Sequence, residues 1–157
     1  MNIIIRRFRE EDAERVSGLI IRTLRTSNSK DYSPEEIAAT EKQMQPENIS
    51  QRAGWTHFYV AEKDDKIIGC GAIGSYWGSE TESSLFTIFV SPEYQGKGVG
   101  RKIVETLEQD EYFLRAKRIE IPASVTGVDF YRKLGYEYKN GIDYPDEEHL
   151  YRLEKFR

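Results

Sequence analysis

Three glycines stand close together in residues 95–100 (QGKGVG), between an apolar stretch and a helical pattern. Glycine lets the backbone turn with its N–H groups directed into one concave space, and it has no Cβ to keep a ligand away. The free N–H groups and dipole of the next helix favour an anion there, and Lys97 and Arg101 add positive charge. The segment predicts a site for a phosphate or pyrophosphate, with a plain connecting turn as the alternative.

Two common nucleotide patterns do not fit this loop. The P-loop pattern G-x-x-x-x-G-K-[ST] fails because Gly98 follows Lys97. The dinucleotide pattern G-x-G-x-x-G also fails, since counting from Gly96 its last position is Arg101, and from Gly98 it is Ile103. The loop comes late in the chain, after an antiparallel meander, so no room is left for a doubly wound sheet. A dinucleotide oxidoreductase is therefore disfavoured.

The surrounding patterns predict one mixed α/β domain over residues 1–157. Strands are expected at 3–5, 57–63, 66–75, 85–90, 118–122, 136–139 and 150–156, and helices from about residue 13, at 34–44, 98–114 and 125–134. Ser33, Pro34 and Glu36 form a capping box that starts the second helix. A loop is expected after Pro46, and the strand at 85–90 is apolar enough to be buried on both faces.

Composition excludes several classes of protein. With 23 basic and 27 acidic residues, the net charge is -4 and disfavours nucleic acid as a partner. Cys70 is the only cysteine and there are two histidines, so no intrachain disulfide and no metal site are expected. No apolar run reaches the ~18 residues of a membrane span, and residues 1–7 lack a signal-peptide pattern. A cytoplasmic protein without a membrane partner is expected.

Two motifs resemble the GCN5-related N-acetyltransferase (GNAT) superfamily. The hallmark [V]-x-P-x-x-[RQ]-G-x-G-x-[GA] at the head of a helix is matched at every defined position by residues 90–100 (VSPEYQGKGVG). A second signature, aromatic-Tyr-x-x-hydrophobic-Gly-aromatic, is matched by residues 130–136 (FYRKLGY). The resemblance covers nearly the whole chain. It implies a twisted, mostly antiparallel sheet of about six to seven strands flanked by about four helices.

The resemblance also implies where acetyl-CoA is held, without a metal. The main chain of Phe89 and Val90 would pair with the pantetheine arm, and the N–H of Val90 would polarise the thioester carbonyl. Ser124 stands where the family often has an asparagine that binds pantetheine, and Lys133 or Lys97 would reach the 3′-phosphate. The loop would bind the pyrophosphate through Gln95, Gly96, Lys97, Gly98, Val99, Gly100 and Arg101.

Catalytic roles follow by the same resemblance. Tyr131 matches the tyrosine that gives a proton to the departing thiolate, a suitable task for a phenol, whereas helix packing is the alternative role. The family's general-base Glu at the start of the fourth strand is replaced by Ser84. Glu82, two residues earlier, and His149, just before the last strand, are the candidate bases.

The implied function is transfer of an acetyl group from acetyl-CoA to a primary amine of a small molecule or peptide, by direct attack in a ternary complex. The alternative is a non-catalytic acyl-CoA-binding regulator on the same fold. Loss of the proton donor would mark such a regulator, and the presence of Tyr131 argues against it. Family members are often dimers, so a homodimer is one expected assembly.

Overall fold

Seven strands form one sheet in the order β1-β2-β3-β4-β5-β7-β6 in the computed structural model, which describes residues 2–157. Neighbouring strands are antiparallel except β4 and β5, which are parallel. The predicted α/β fold with a mostly antiparallel sheet is confirmed. The strands are β1 (Ile4–Arg7), β2 (His57–Lys63), β3 (Lys66–Ser75), β4 (Glu82–Val90), β5 (Arg118–Ser124), β6 (Glu137–Tyr138) and β7 (Leu150–Phe156).

Helices cover both faces of the sheet. One hydrophobic core joins β2 and β3 to the first three helices through Val16, Ile37 and Ile49. The second core lies around Ile103 and Leu107 of the fourth helix. Within residues 2–157 no helix combines the length and apolar character needed to cross a membrane. The helices are α1 (Ala13–Thr26), α2 (Pro34–Lys42), α3 (Pro46–Trp55), α4 (Val99–Leu107), α5 (Glu111–Leu114) and α6 (Val128–Lys133).

The start of α2 confirms the predicted capping box. The Ser33 hydroxyl accepts a hydrogen bond from the Glu36 N–H at 3.1 Å, and the Glu36 carboxylate accepts one from the Ser33 N–H at 2.9 Å. Pro34 occupies the first helical position, where its missing N–H costs nothing. The local sequence therefore fixes where this helix begins.

The loop predicted after Pro46 is wrong, because residues 46–55 form α3. The start of α3 resembles the start of α2. Pro46 takes the first helical position, and Asn48 Oδ1 accepts a hydrogen bond from the Gln45 N–H at 3.0 Å. Glutamine is not among the residues preferred at the N-cap, so this start has a weaker sequence signature. Ile49 is fully buried and packs α3 into the first core.

Two predicted helices are shorter than expected. The helix predicted for 98–114 ends at Leu107, and Asp110 caps α5 by accepting a hydrogen bond from the Tyr112 N–H at 2.8 Å. The helix predicted for 125–134 begins only at Val128, because the Ser124 hydroxyl accepts a hydrogen bond from the Gly127 N–H at 3.0 Å and holds a turn. Asp and Ser both favour such breaks by bonding to nearby backbone groups.

Candidate active site

A cleft opens where β4 and β5 separate. The two strands pair only from Glu82 to Ser84 with Arg118 to Glu120, although β4 continues to Val90 and β5 to Ser124. Beyond this point, no strand within residues 2–157 pairs with the edge of β4 that faces β5. An unpaired strand edge offers backbone N–H and C=O groups to an extended ligand.

An irregularity in β4 lies at the same place. The pairing of β3 with β4 shifts between Cys70, which faces Phe89, and Ala72, which faces Phe86. Thr87 lies inside this bulge with φ of 56°, a rare conformation for a β-branched residue. Bulges bend a strand and increase its twist, so this one accounts for the divergence of β4 from β5.

The cleft has a volume of about 860 Å³, within the range of small-molecule sites. Because the second half of β4 lines it, residues 88–90 are only partly buried, and the prediction of a strand buried on both faces is wrong there. The predicted site residues that line the cleft are Phe89, Val90, Gln95, Gly96, Gly98, Gly100, Arg101, Ser124 and Tyr131.

The glycine loop forms an open cradle of backbone amides. Gly96 and Gly98 have φ of 73° and 86°, and a Cβ added at either would meet nothing within 4 Å. Lys102 donates to the Gly98 carbonyl at 3.1 Å, so the N–H groups of the helical residues before Lys102 have no intrahelical partner. At Gly100 an added Cβ would lie 3.1 Å from the Phe130 ring, which fixes the close approach of α4 and α6.

Other predicted loop residues have different positions. The Gln95 amide donates to the Val90 carbonyl at 3.0 Å and to the Ser27 hydroxyl at 3.1 Å, which ties the loop to β4 and to the end of α1. The Lys97 ammonium lies 5.6 Å from the Tyr94 ring centre. Val99 is 1% exposed, so only its backbone can serve a ligand. The side chains of Lys97 and Lys133 are exposed and lie outside the cleft lining.

Tyr131 lines the cleft from α6 and is 8% exposed. A tyrosine with the ordinary pKa of 10.0 is already protonated near neutral pH, and burial raises the pKa of Tyr131 further. Its hydroxyl makes no hydrogen bond with residues 2–157. The neighbouring Phe130 ring packs edge-on at 5.2 Å between ring centres. A protonated donor without an acceptor among residues 2–157 thus belongs to a side chain that lines the cleft, as the amide cradle does.

The family assignment rests on a match over residues 28–144 to the model of the acetyltransferase (GNAT) domain. The chain belongs to the GNAT acetyltransferase family. The predicted superfamily and the predicted enzyme class, an acetyl-CoA-dependent N-acetyltransferase, are confirmed.

Known proteins are similar to this GNAT domain in structure or in sequence. The crystal structure of the PaiA N-acetyltransferase of Thermoplasma acidophilum in complex with coenzyme A superposes with a TM-score of 0.83, at 20% identity and 100% coverage of both chains. The N-acetyltransferase YafP of Escherichia coli is 26% identical over 87% of this chain and 82% of its own length. The S-alkylcysteine N-acetyltransferase of Bacillus subtilis is 33% identical over 60% of this chain and 57% of its own length.

The two candidate bases of the GNAT domain lie in different surroundings. Glu82 is at the far end of β4 and accepts a hydrogen bond from Arg118 at 2.5 Å, outside the cleft lining. His149 Nδ1 lies 2.9 Å from Glu36 Oε2, and its carbonyl accepts a hydrogen bond from the Tyr32 hydroxyl at 2.7 Å. Glu36 and Tyr32 both line the cleft, so only His149 is next to its lining.

Tyr32 holds three segments together at this end of the cleft. Besides its bond to His149, the Tyr32 hydroxyl accepts a hydrogen bond from the Val125 N–H at 2.9 Å. It thereby connects the segment between α1 and α2 to the end of β5 and to the start of β7. Tyr76 and Trp77 line a separate cavity of about 400 Å³.

Three residues that line the cleft carry no sequence signal for a role there. Arg52 comes from α3, where the sequence predicts a loop, and Thr87 is placed by the bulge in β4. The sequence predicts only a helix cap for Glu36, which also lines the cleft. Pro46 followed by Asn48 was the available signal for α3; the bulge at Thr87 had none.

Proposed function

We propose that the chain binds acetyl-CoA in the cleft between β4 and β5 and moves its acetyl group to a primary amine by direct attack in a ternary complex. The observation that carries this proposal is the combination, in one cleft, of a free β4 edge, an open amide cradle and the Tyr131 hydroxyl. The proposal treats residues 1–157 as one acyltransferase domain.

The cleft suits the two chemical halves of coenzyme A. The pantetheine arm is an extended chain with amide groups, for which an unpaired strand edge is a natural partner. The pyrophosphate is an anion, for which the free N–H groups of the loop, the start of α4 and the Arg101 side chain are suitable. Gly96 and Gly98 keep the cradle open because neither position has a Cβ that would occupy it.

Val90 is the backbone donor nearest this chemistry. The Ser91 N–H donates to the Ile68 carbonyl on β3 at 2.8 Å. Successive N–H groups of a strand point to opposite edges, so the Val90 N–H points away from β3 and into the cleft. The thioester brings the acetyl group, and the Val90 N–H would donate to its carbonyl oxygen, where negative charge develops during attack.

Tyr131 would supply the proton that the departing sulfur needs. The phenol is protonated at neutral pH, burial raises its pKa further, and its hydroxyl has no acceptor among residues 2–157. This arrangement favours an enzyme over a non-catalytic acyl-CoA-binding regulator, which would need no proton donor in the cleft. Ser124 lines the same cleft. Its hydroxyl oxygen accepts a hydrogen bond from the Gly127 N–H, which leaves the hydroxyl proton free to be donated to a ligand.

His149 is the better placed of the two proposed bases. It contacts the cleft lining through Glu36 and Tyr32, whereas the carboxylate of Glu82 is paired with Arg118. A primary amine acceptor is further supported by the Bacillus subtilis relative, which is named for S-alkylcysteine, a compound with a primary amino group.

The cofactor assignment is tested by thermal unfolding. Acetyl-CoA at about 100 times its Kd should stabilise the fold by about 2.7 kcal/mol, which for a chain of this length raises Tm by roughly 5–10 °C. NAD and ATP at equal concentration are the controls. An unchanged Tm with millimolar acetyl-CoA, together with a shift by NAD or ATP, would overturn the assignment.

A further inference from the structure

Arg52 differs from the other partly buried arginines of the chain. Four arginines are partly buried: Arg6, Arg52, Arg118 and Arg152. Three of them form ion pairs with two or three carboxylates each. Arg52 has no carboxylate within 4.0 Å among residues 2–157; its guanidinium donates to Thr87 Oγ1 at 2.8 Å, to Met44 sulfur at 3.3 Å and to the Gln43 carbonyl at 3.5 Å.

This uncompensated cation lines the cleft. Burial lowers the pKa of Arg52, but a guanidinium remains charged in proteins. Removing a charge from water raises its free energy unless a partner of opposite charge stabilises it. The planar fork of a guanidinium fits a carboxylate with two parallel hydrogen bonds. The bonds to Thr87 and Met44 use Nη1, and the bond to Gln43 uses one N–H of Nη2, so Nε and the second N–H of Nη2 have no acceptor among residues 2–157.

Arg52 lies within a short distance of the place proposed for the acetyl group. Its hydrogen-bond partner Thr87 is three residues before Val90 along β4, or about 10 Å at ~3.3 Å per residue. A carboxylate on Arg52 would therefore lie within one small molecule's length of the Val90 N–H. The surrounding lining from Ile37, Met44 and Phe86 is mostly apolar, which suits the body of such a molecule.

Backbone strain at Thr87 is a second observation at the same point. A β-branched residue at φ of 56° is an outlier, and strain of this kind persists where the surrounding structure imposes it, often at ligand sites. Here the hydroxyl of the strained residue Thr87 accepts a hydrogen bond from the Arg52 guanidinium. The bulge in β4 therefore both shapes the cleft and positions the Arg52 cation in it.

The other charged groups of the cleft come from different elements. Glu36 on α2 contacts His149, and Glu148 before β7 pairs with Arg152, whereas Glu147 has no ion pair among residues 2–157. Arg101 lies at the cofactor loop. Carboxylates would attract a cationic amine, and Arg52 would attract an anion. A cleft with both suits a molecule that carries both groups.

We propose that Arg52 binds a carboxylate of the acceptor, so that the acceptor is a small amino acid rather than a simple amine or a polyamine. This inference rests on the proposed acetyltransferase function and names its substrate class. Arg52 is a specificity-determining residue in this account, because it contacts the acceptor away from the reacting nitrogen.

The test compares matched acceptors that differ only at the carboxylate. Alanine, methionine and leucine are each assayed beside their carboxamide and their decarboxylated amine, with acetyl-CoA, by thiol release and product mass. At least one amino acid should exceed both of its analogues in kcat/KM by about 10- to 100-fold, the range expected for hydrogen bonds between charged groups.

Variants then assign this preference to Arg52. Arg52→Gln should raise KM for the amino acid about 10- to 100-fold and should change kcat/KM for the decarboxylated amine much less, because that amine has no group for Arg52 to bind. Arg52→Lys should retain part of the preference. Arg25→Gln is the control, because Arg25 is exposed, pairs with Glu41 and does not line the cleft.

Three results would overturn the inference. The first is wild-type protein that acetylates amides or simple amines as well as amino acids, which leaves the proposed function standing. The second is Arg52→Gln lowering Tm and both activities equally, as a purely structural role would. The third is a panel in which no amino acid is acetylated and none binds to the coenzyme A complex in calorimetry. Failure of the acetyltransferase proposal itself would differ from all of these: either acetyl-CoA would leave Tm unchanged, or acetyl-CoA would raise Tm while no amine of any class is acetylated.

Discussion

Replacing Tyr131 with Phe removes one oxygen atom from the cleft lining and leaves the ring in place. The Tyr131 hydroxyl has no hydrogen-bond partner among residues 2–157, so the free energy of unfolding should change by less than about 1 kcal/mol. If the hydroxyl is the general acid, kcat should fall by on the order of 10²–10⁴-fold. The lower end is expected, because a thiolate with a pKa of ~8.5 leaves measurably without help. A 10²-fold loss corresponds to about 2.7 kcal/mol in the barrier.

Tyr136 provides a matched control for this substitution. It is 1% exposed, donates to Glu108 Oε2 at 2.9 Å and does not line the cleft. Tyr136→Phe should therefore lower stability by roughly 1.5–3 kcal/mol, a drop of about 2–4 °C in Tm for each kcal/mol, without changing kcat. Tyr131→Phe should therefore lose activity and keep stability, whereas Tyr136→Phe should lose stability and keep activity.

The assay is steady-state acetylation with thiol release, beside thermal unfolding of each variant. Burial raises the pKa of Tyr131, so its proton stays in place and the wild-type advantage should persist from about pH 6 to about pH 9. The defect of Tyr131→Phe should shrink with acyl donors whose thiol is more acidic. Equal kcat for wild type and Tyr131→Phe across this pH range, with chemistry rate-limiting, would assign Tyr131 to helix packing and refute the reasoning.

Two further predictions concern the glycine loop and the buried ion pair. Gly98→Ala should weaken acetyl-CoA binding at least about tenfold in calorimetry. Gly141, which has a similar φ of 71° and equal free space, provides the control: Gly141→Ala and Gly98→Ala should each lower the free energy of unfolding by about 1 kcal/mol, but Gly141→Ala should keep the affinity. Equal affinities in both variants would show that the loop is only a connector. Burial alone would raise the pKa of Asp12, but hydrogen bonds from the Arg6 guanidinium and a backbone N–H lower it from 3.8 to about 2. The stability this gives, on the order of 2 kcal/mol, should be present above about pH 4 and lost as the pH falls towards about 2. Asp12→Asn should remove that dependence in chemical unfolding, and an unchanged acid profile would contradict the assignment.

Local features of the chain were predictable because each depends on neighbours in sequence. Ser33 and Glu36 cap a helix through two hydrogen bonds that span only three residues. Asp64 and Asp65 form the turn between β2 and β3 with φ of 50° and 63°, a conformation that aspartate tolerates. The glycines of residues 95–100 need φ above zero at two positions, which narrows the choice of residue.

Features that depend on distant residues could not be predicted in this way. The separation of β4 from β5 follows from a bulge at Thr87, and no residue type in that strand announces it. Arg52 reaches the cleft because α3 packs on α1 and β2 and places this side chain on Thr87 of β4. Glu82 lies at the end of β4 that pairs with β5, where its carboxylate is bound by Arg118. These arrangements involve partners 35 or 36 positions apart in the chain, so sequence patterns within one element carry no information about them.

The most direct test of the account is acetyl transfer itself. Purified protein is incubated with acetyl-CoA labelled with ¹³C in the acetyl group and with a mixture of small primary amines, including amino acids. The account predicts free thiol in an amount equal to a labelled N-acetyl product, both abolished when the amine is omitted and both strongly reduced in the Tyr131→Phe variant. Tight binding of acetyl-CoA in the cleft with no labelled product from any amine would contradict the account and identify the chain as an acyl-CoA-binding regulator.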